Sequence, residues 1–141
     1  MSRLLVFAQL LLIVLIAAPF QAPQFTVVNV ALFILGIIAA GAALAVMPAH
    51  TFSVLPEPRS SGELVTRGIY RLIRHPMYLA VLLCGLAACL AYESAIKWDL
   101  LALLAGVLTI KIRREERLLM GHFPDYAAYR QRTKALIPYL Y

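Results

Sequence analysis

Between Leu4 and Ile112 the chain runs through four apolar stretches separated by polar or proline-bearing segments, of which only 48–76 is long, and this constrains the fold most. The runs are Leu4–Ala18, closed by Pro19; Phe25–Met47, closed by Pro48; Met77–Tyr92; and Leu100–Ile112. A helix that crosses a bilayer needs about 20 apolar residues. The second run has that length, the first and third reach it with their flanks, and the fourth reaches it when the helix starts near Ile96. That start puts Trp98 at the interface and lets Lys97 snorkel. With 62% hydrophobic and 14% charged residues, against about 25% charged in soluble domains, the chain reads as a polytopic all-α membrane protein. The expected spans are 3–20, 25–47, 76–92 and 96–112 within one domain, 1–141. A cleaved signal peptide over the first run is the weaker alternative, because Pro19 and Pro23 spoil the cleavage site.

The 13 Lys and Arg residues are unevenly placed. Four fall in 59–74 and seven in 111–134, whereas the loop 20–24 has none and the loop 93–99 has only Lys97. The bias toward cytoplasmic loops puts both basic segments, and both termini, on the cytoplasmic side. It also reads as attraction to anionic lipid, and not as a nucleic-acid surface, which would need a soluble basic face. Cys84 and Cys89, five apart on different helix faces, read as buried free thiols with neither zinc nor disulfide spacing. Gly36, Gly41 and the alanines around them give the second span a small-residue surface, read first as packing inside the bundle and second as a dimer face.

Two polar clusters stand out. In the first, Ile69 to Tyr78, the cations Arg71 and Arg74, titratable His75, Tyr70 and Tyr78 crowd the start of an apolar helix. Gly62 and Gly68 before it allow close backbone approach to a ligand. Pro76 suits the first position of a helix and keeps His75 out of helical dihedrals, so His75 and Tyr78 should sit at a helix start, beside free N–H groups. Taken singly, the arginines also fit positive-inside anchors and the tyrosines an interfacial belt; an anchor alone does not need His-Pro. In the second cluster, Lys111, Arg114 and Glu115 share one helical face if the last span continues. A salt-bridged end of that span explains them equally well. A short interfacial helix with Tyr126 and Tyr129, and Asp125, Arg130 and Gln131 on its polar side, should cap the bundle. No Gly-x-Gly-x-x-Gly is present, and a Rossmann domain has no room.

The run Leu64-Val65-Thr66-x-Gly68-x-Tyr70-Arg71-x-x-Arg74-His75-Pro76-x-Tyr78 resembles the signature of the isoprenylcysteine carboxyl methyltransferase family. Glu115-Glu116-x-x-Leu119-x-x-x-Phe123-x-x-Tyr126-x-x-Tyr129, followed by Leu136-Ile137-Pro138, is similar to that family's C-terminal signature. The paired glutamates are shared with the related phospholipid N-methyltransferases. The resemblance covers about residues 62–141. It implies an S-adenosylmethionine site at the cytoplasmic ends of the last helices, built from segments 59–78 and 111–141. By position, Gly62, Glu63, Leu64, Val65, Tyr70, His75, Pro76, Met77, Tyr78 and Glu115 would bind the cofactor. Lys111, with Arg113 or Arg114, would contact the acceptor carboxylate. Lys111 replaces an Arg, Ala80 and Pro124 replace common glycines, and the loop before Gly62 matches poorly.

The implied activity is methyl transfer to a lipophilic acceptor drawn from the membrane, most like carboxyl O-methylation. A carboxylate needs no base because it is ionised at neutral pH. A phospholipid, amine or thiol acceptor is the alternative, and an amine would call on His75 or Glu116 as base. A nicotinamide-dependent sterol reductase is a distant third, since its extra spans do not fit. An alternative of another class is a non-catalytic assembly or lipid-binding protein. The small size suggests a prokaryotic inner membrane.

Overall fold

The computed structural model describes residues 2–19, 21–48 and 63–137. The expected features at Gly62, in the loop before it and at Pro138 lie outside the described residues. Among the described residues five helices follow in order: α1 (Ser2–Ala17), α2 (Val27–Val46), α3 (Pro76–Tyr92), α4 (Ala95–His122) and α5 (Tyr126–Arg132), with a 3-10 turn at Gly68–Arg71 before α3.

The helix boundaries follow from local chemistry. The Thr26 hydroxyl accepts from the Asn29 N–H, and the Asn29 side-chain oxygen accepts from the Thr26 N–H. This reciprocal cap satisfies two donors that α2 would otherwise strand. Pro76 occupies the first turn of α3, and His75 before it has φ −125° and ψ 58°, outside the helical region as the His-Pro pair dictates. Glu93 ends α3 in the left-handed region, at φ 46°. α4 runs 28 residues without a break, about 42 Å at 1.5 Å per residue, before Phe123 and Pro124 stop it.

α3 is the hub. α2 packs along it antiparallel, and α1 and α4 pack against it and each other. Small residues permit the close α2–α3 approach: a Cβ on Gly36 would lie 2.7 Å from Cys84 Sγ and 3.1 Å from the Ala80 carbonyl. Leu12, Ile16, Leu104 and Leu108 form one buried cluster between α1 and α4. Ala43, Val65 and Tyr70 form a second where the end of α2 meets the turn before α3. Gly68 makes that contact possible, with φ +59° and Val46 only 2.8 Å from where a Cβ would stand.

One expectation is corrected. Lys97 does not snorkel; it is fully buried and turned inward, donating to the carbonyls of Ile16 and Ala18 (2.7 Å to the latter) and lying 4.1 Å from the Tyr92 ring centroid. The end of α1 leaves carbonyls without helical partners, and an ammonium satisfies them better than it satisfies water across an apolar surface. Trp98 remains 44% exposed.

The outer surface is apolar. Leu4, Phe7 and Val14 on α1, Phe33, Ile34, Leu35 and Ile38 on α2, and Leu103 and Ile110 on α4 are each at least half exposed. Among the described helices only α2, with 20 residues, is long and apolar enough to cross a membrane by itself; α1 and α3 are shorter apolar helices.

Candidate active site

The bundle's antiparallel order brings the start of α3, the end of α2 and residues 111–116 of α4 to the same end. After α5 the chain runs back beside the segment that precedes α3. Arg74 N–H donates to Lys134 O (2.8 Å), His75 N–H to Ala135 O (3.0 Å), and Lys134 N–H to Leu72 O (3.2 Å). This short parallel pairing, centred on Ile73 and Lys134, holds His75 from behind.

The paired glutamates meet the His-Pro helix start directly. The Tyr78 hydroxyl donates to Glu115 Oε1 at 2.7 Å. His75 reaches both carboxylates, with Nδ1 3.4 Å from Glu115 Oε2 and Nε2 3.4 Å from Glu116 Oε1. Its ring stacks on Tyr78, centroids 5.6 Å apart and planes 7° from parallel. Residues 37 to 41 positions apart in the chain thus form one buried polar network.

The two glutamates have different employment. Glu116 is locked: Arg74 Nε lies 2.7 Å from Oε1 and Arg130 Nε 3.1 Å from Oε2. Burial opposes its charge, but hydrogen bonds and charge from His75 and Arg74 outweigh burial and hold its pKa down at about 2. His75 is 7% exposed, and burial would lower its pKa, yet hydrogen bonds and charge from Glu115 and Glu116 raise it. Arg74 also donates to the carbonyls of Arg130 and Thr133. Glu115 is the more open carboxylate, at 17% side-chain exposure.

Tyr70 lies buried beside this network. Burial first, then the charge of Glu115, pushes its hydroxyl up to about 12, so it stays protonated. Its backbone carbonyl accepts from the Tyr129 hydroxyl at 2.7 Å. Tyr126 is 1% exposed, and its hydroxyl has no hydrogen-bond partner among the described residues. Burial and the Glu116 charge raise its pKa. An orphaned buried hydroxyl facing two carboxylates and an arginine suits a polar ligand that would complete the set.

Lys111 is also buried. Its ammonium donates to the Gln9 side-chain oxygen at 2.6 Å and lies 5.1 Å from the Tyr78 ring centroid. Val65, Met77 and Tyr70 share one apolar cluster, and Pro76 is buried in the first turn of α3. The outer candidates sit elsewhere. Glu63 is exposed, 3.7 Å from Arg67; Leu64 is half-buried; Arg113 is exposed and Arg114 half-buried. Sequence reasoning missed Gln9 and the roles of Arg74, Arg130 and Tyr126. Arg74 lies within the Arg-His-Pro motif, whereas Gln9 is a polar residue in the apolar middle of α1, a readable signal.

An apolar cavity of about 520 Å³ lies between α1 and α2 over α3 and extends along α3 from Met77 to Tyr92. Ile13, Phe33, Ala40, Ala80 and Val81 are among its walls, and Met77 links it to the polar end. Among the described residues no group of three or more His, Cys, Asp or Glu is arranged to hold a metal ion.

Two curated relatives are similar over part of the chain. The cobalt-zinc-cadmium resistance protein CzcN of Cupriavidus metallidurans is 40% identical over 83 residues, 58% of this chain and 38% of its own. The nickel-cobalt-cadmium resistance protein NccN of Alcaligenes xylosoxydans xylosoxydans is 40% identical over 85 residues, 58% of this chain and 39% of its own. The matches thus span about two-fifths of the length of these relatives. The family described as phospholipid methyltransferase matches residues 25–125, which include α2, α3, α4 and every residue of the His75–Tyr78–Glu115–Glu116 network. The chain belongs to the phospholipid methyltransferase family.

Proposed function

We propose that this chain transfers a methyl group from S-adenosylmethionine to a lipophilic acceptor at the cytoplasmic face of a membrane. The observation that carries this reading is the Tyr78–Glu115–His75 contact, which joins two distant polar clusters into one buried network, with Met77 between it and an apolar cavity. S-adenosylmethionine, when bound, supplies an electrophilic methyl group on a sulfonium. Glu115, the more open carboxylate, suits the ribose hydroxyls or the ammonium of that molecule. Tyr78 and His75 offer stacked rings, and Tyr126 an unspent hydroxyl. Glu116, tied to Arg74 and Arg130, fixes the scaffold rather than the ligand.

The acceptor most in keeping with these residues is a carboxylate. A carboxylate is ionised at neutral pH and would take the methyl group that the sulfonium supplies without any proton being removed. An amine acceptor would need a base. Glu116, with its pKa at about 2 and both oxygens engaged by arginines, is a poor one, and the ring nitrogens of His75 are turned to Glu115 and Glu116. Catalysis then rests on alignment and fixed charge. Lys111 holds the acceptor anion, and the apolar cavity takes its tail from the side.

The same reading makes α1 to α4 four spans. Lipid covers the apolar outer surface, and both ends of the chain lie with the site on the cytoplasmic side. The basic residues Arg71, Arg113, Arg117, Arg130, Arg132 and Lys134 gather at that end, as the positive-inside bias requires. The test is methyl transfer from labelled S-adenosylmethionine into a bacterial lipid extract, with mass spectrometry of the labelled product. Label should enter an acidic lipid as its methyl ester and be lost with Glu115→Gln. Label in an amine headgroup would overturn the carboxylate reading, and no incorporation would favour a non-catalytic lipid-binding protein.

A further inference from the structure

We propose that α1 completes the acceptor site: Gln9, with Lys111, forms the receptor for the carboxylate head of a lipophilic acid and sets the preference for it over a neutral head. This rests on the methyltransferase reading above. It extends that reading to a helix outside the family-matched segment, residues 25–125.

Lys111 is 1% exposed. A buried ammonium is costly unless a counter-charge meets it. Neither nearby glutamate does so within ion-pair distance. Glu115 directs its oxygens to Tyr78 and His75, and Glu116 to Arg74, Arg130 and His75. The one hydrogen-bond acceptor that Lys111 reaches among the described residues is the neutral side-chain oxygen of Gln9, at 2.6 Å. A cation with three donors and one neutral acceptor keeps an appetite for an oxyanion.

Gln9 suits both states of such a site. Its oxygen serves the ammonium when no acceptor is bound. Once an acceptor carboxylate takes that place, rotation of the amide turns its two N–H donors toward the carboxylate. A glutamate here would neutralise Lys111 permanently, and a leucine would leave the ammonium with the Tyr78 ring and no hydrogen-bond acceptor among the described residues.

The neighbourhood agrees. Lys111 lies 5.1 Å from the ring centroid of Tyr78, whose hydroxyl touches Glu115, so an anion held here is beside the cofactor residues. On α1, Ile13, Ile16 and Ala17 follow Gln9 at helical spacings and line the apolar cavity. One face of α1 therefore presents a polar head contact and then an apolar wall, the layout of a long-chain acid.

The test uses the full chain in lipid nanodiscs. A spin-labelled stearic acid and its methyl ester are titrated, and the immobilised fraction of the spectrum gives occupancy. S-adenosylhomocysteine binding is measured by calorimetry on the same samples. The wild type should favour the acid over the ester by tenfold or more. Gln9→Glu should bring the acid down to the level of the ester. Gln9→Met, which keeps the length of the side chain and loses the amide, should weaken the acid at least threefold. No acid preference in the wild type, or a wild-type preference in both variants, overturns the inference. Absence of S-adenosylhomocysteine binding to the wild type would overturn the methyltransferase reading separately.

Discussion

Glu116 is a buried carboxylate flanked by Arg74, Arg130 and His75, and its titration and that of His75 set opposite limits on stability. The pKa of Glu116 falls from an ordinary 4.5 to about 2 on folding, so its contribution is present above pH 4.5 and lost as pH falls through about 2. The pKa of His75 rises above 6.5, so its contribution is fully present below pH 6.5 and lost as pH climbs through the raised value. Thermal unfolding in nanodiscs should therefore show a plateau between those limits with a falling alkaline arm, and His75→Gln should remove that arm. A Tm that rises from pH 6.5 to 8 in the wild type would contradict this. Glu116→Ala leaves Arg74 buried without its carboxylate and should cost about 3 kcal/mol, whereas Glu115→Gln should change stability by roughly 1 kcal/mol or less. His75, Tyr78 and Glu115 were legible in the sequence because each sits in a dense motif. The division of labour between Glu115 and Glu116 was not, because it depends on which face of α4 meets Arg74 and Arg130, and adjacent residues on a helix point about 100° apart.

At the scale of elements, α3 owes its position to small residues and to one buried lysine at the opposite end. Gly36 has no room for a methyl group, since Cys84 Sγ and the Ala80 carbonyl already stand at 2.7 and 3.1 Å from that point. Gly36→Ala should lower Tm by several degrees, and adding Cys84→Ala should recover part of the loss, because the sulfur can be removed and the carbonyl cannot. Full recovery, or no initial loss, would mean that α2 and α3 do not meet as described. Lys97→Met should cost about 2 kcal/mol by stranding the Ile16 and Ala18 carbonyls at the end of α1. The apolar runs predicted α1, α2 and α3 to within a few residues, and Pro76 fixed the start of α3. Lys97 was misread because hydropathy treats a lysine near a helix end as bound for water, and the carbonyls that draw it inward belong to another helix. The unbroken passage of α4 from apolar run to charged cluster was visible only as a condition, since its charged half has no apolar period of its own to follow.

At the scale of the molecule, the proposed topology places the arginine-rich polar end on the cytoplasmic side of a membrane, and labelling tests it. Single cysteines at Arg117 and Gln131 in a background without Cys84 and Cys89 should react with a membrane-impermeant maleimide only after the cytoplasmic side is opened. A cysteine at Glu93 should react in intact cells. The reverse pattern would invert the topology while leaving the site geometry intact. What ties the scales together is the claim that Glu115, fixed by Tyr78 and His75, is the anchor for S-adenosylmethionine. Calorimetric titration of the purified chain in nanodiscs with S-adenosylhomocysteine tests this most directly. Saturable binding should appear in the wild type and weaken roughly tenfold or more in Glu115→Gln, the loss expected when a charged hydrogen-bond acceptor becomes neutral. Equal binding by both proteins would contradict the account.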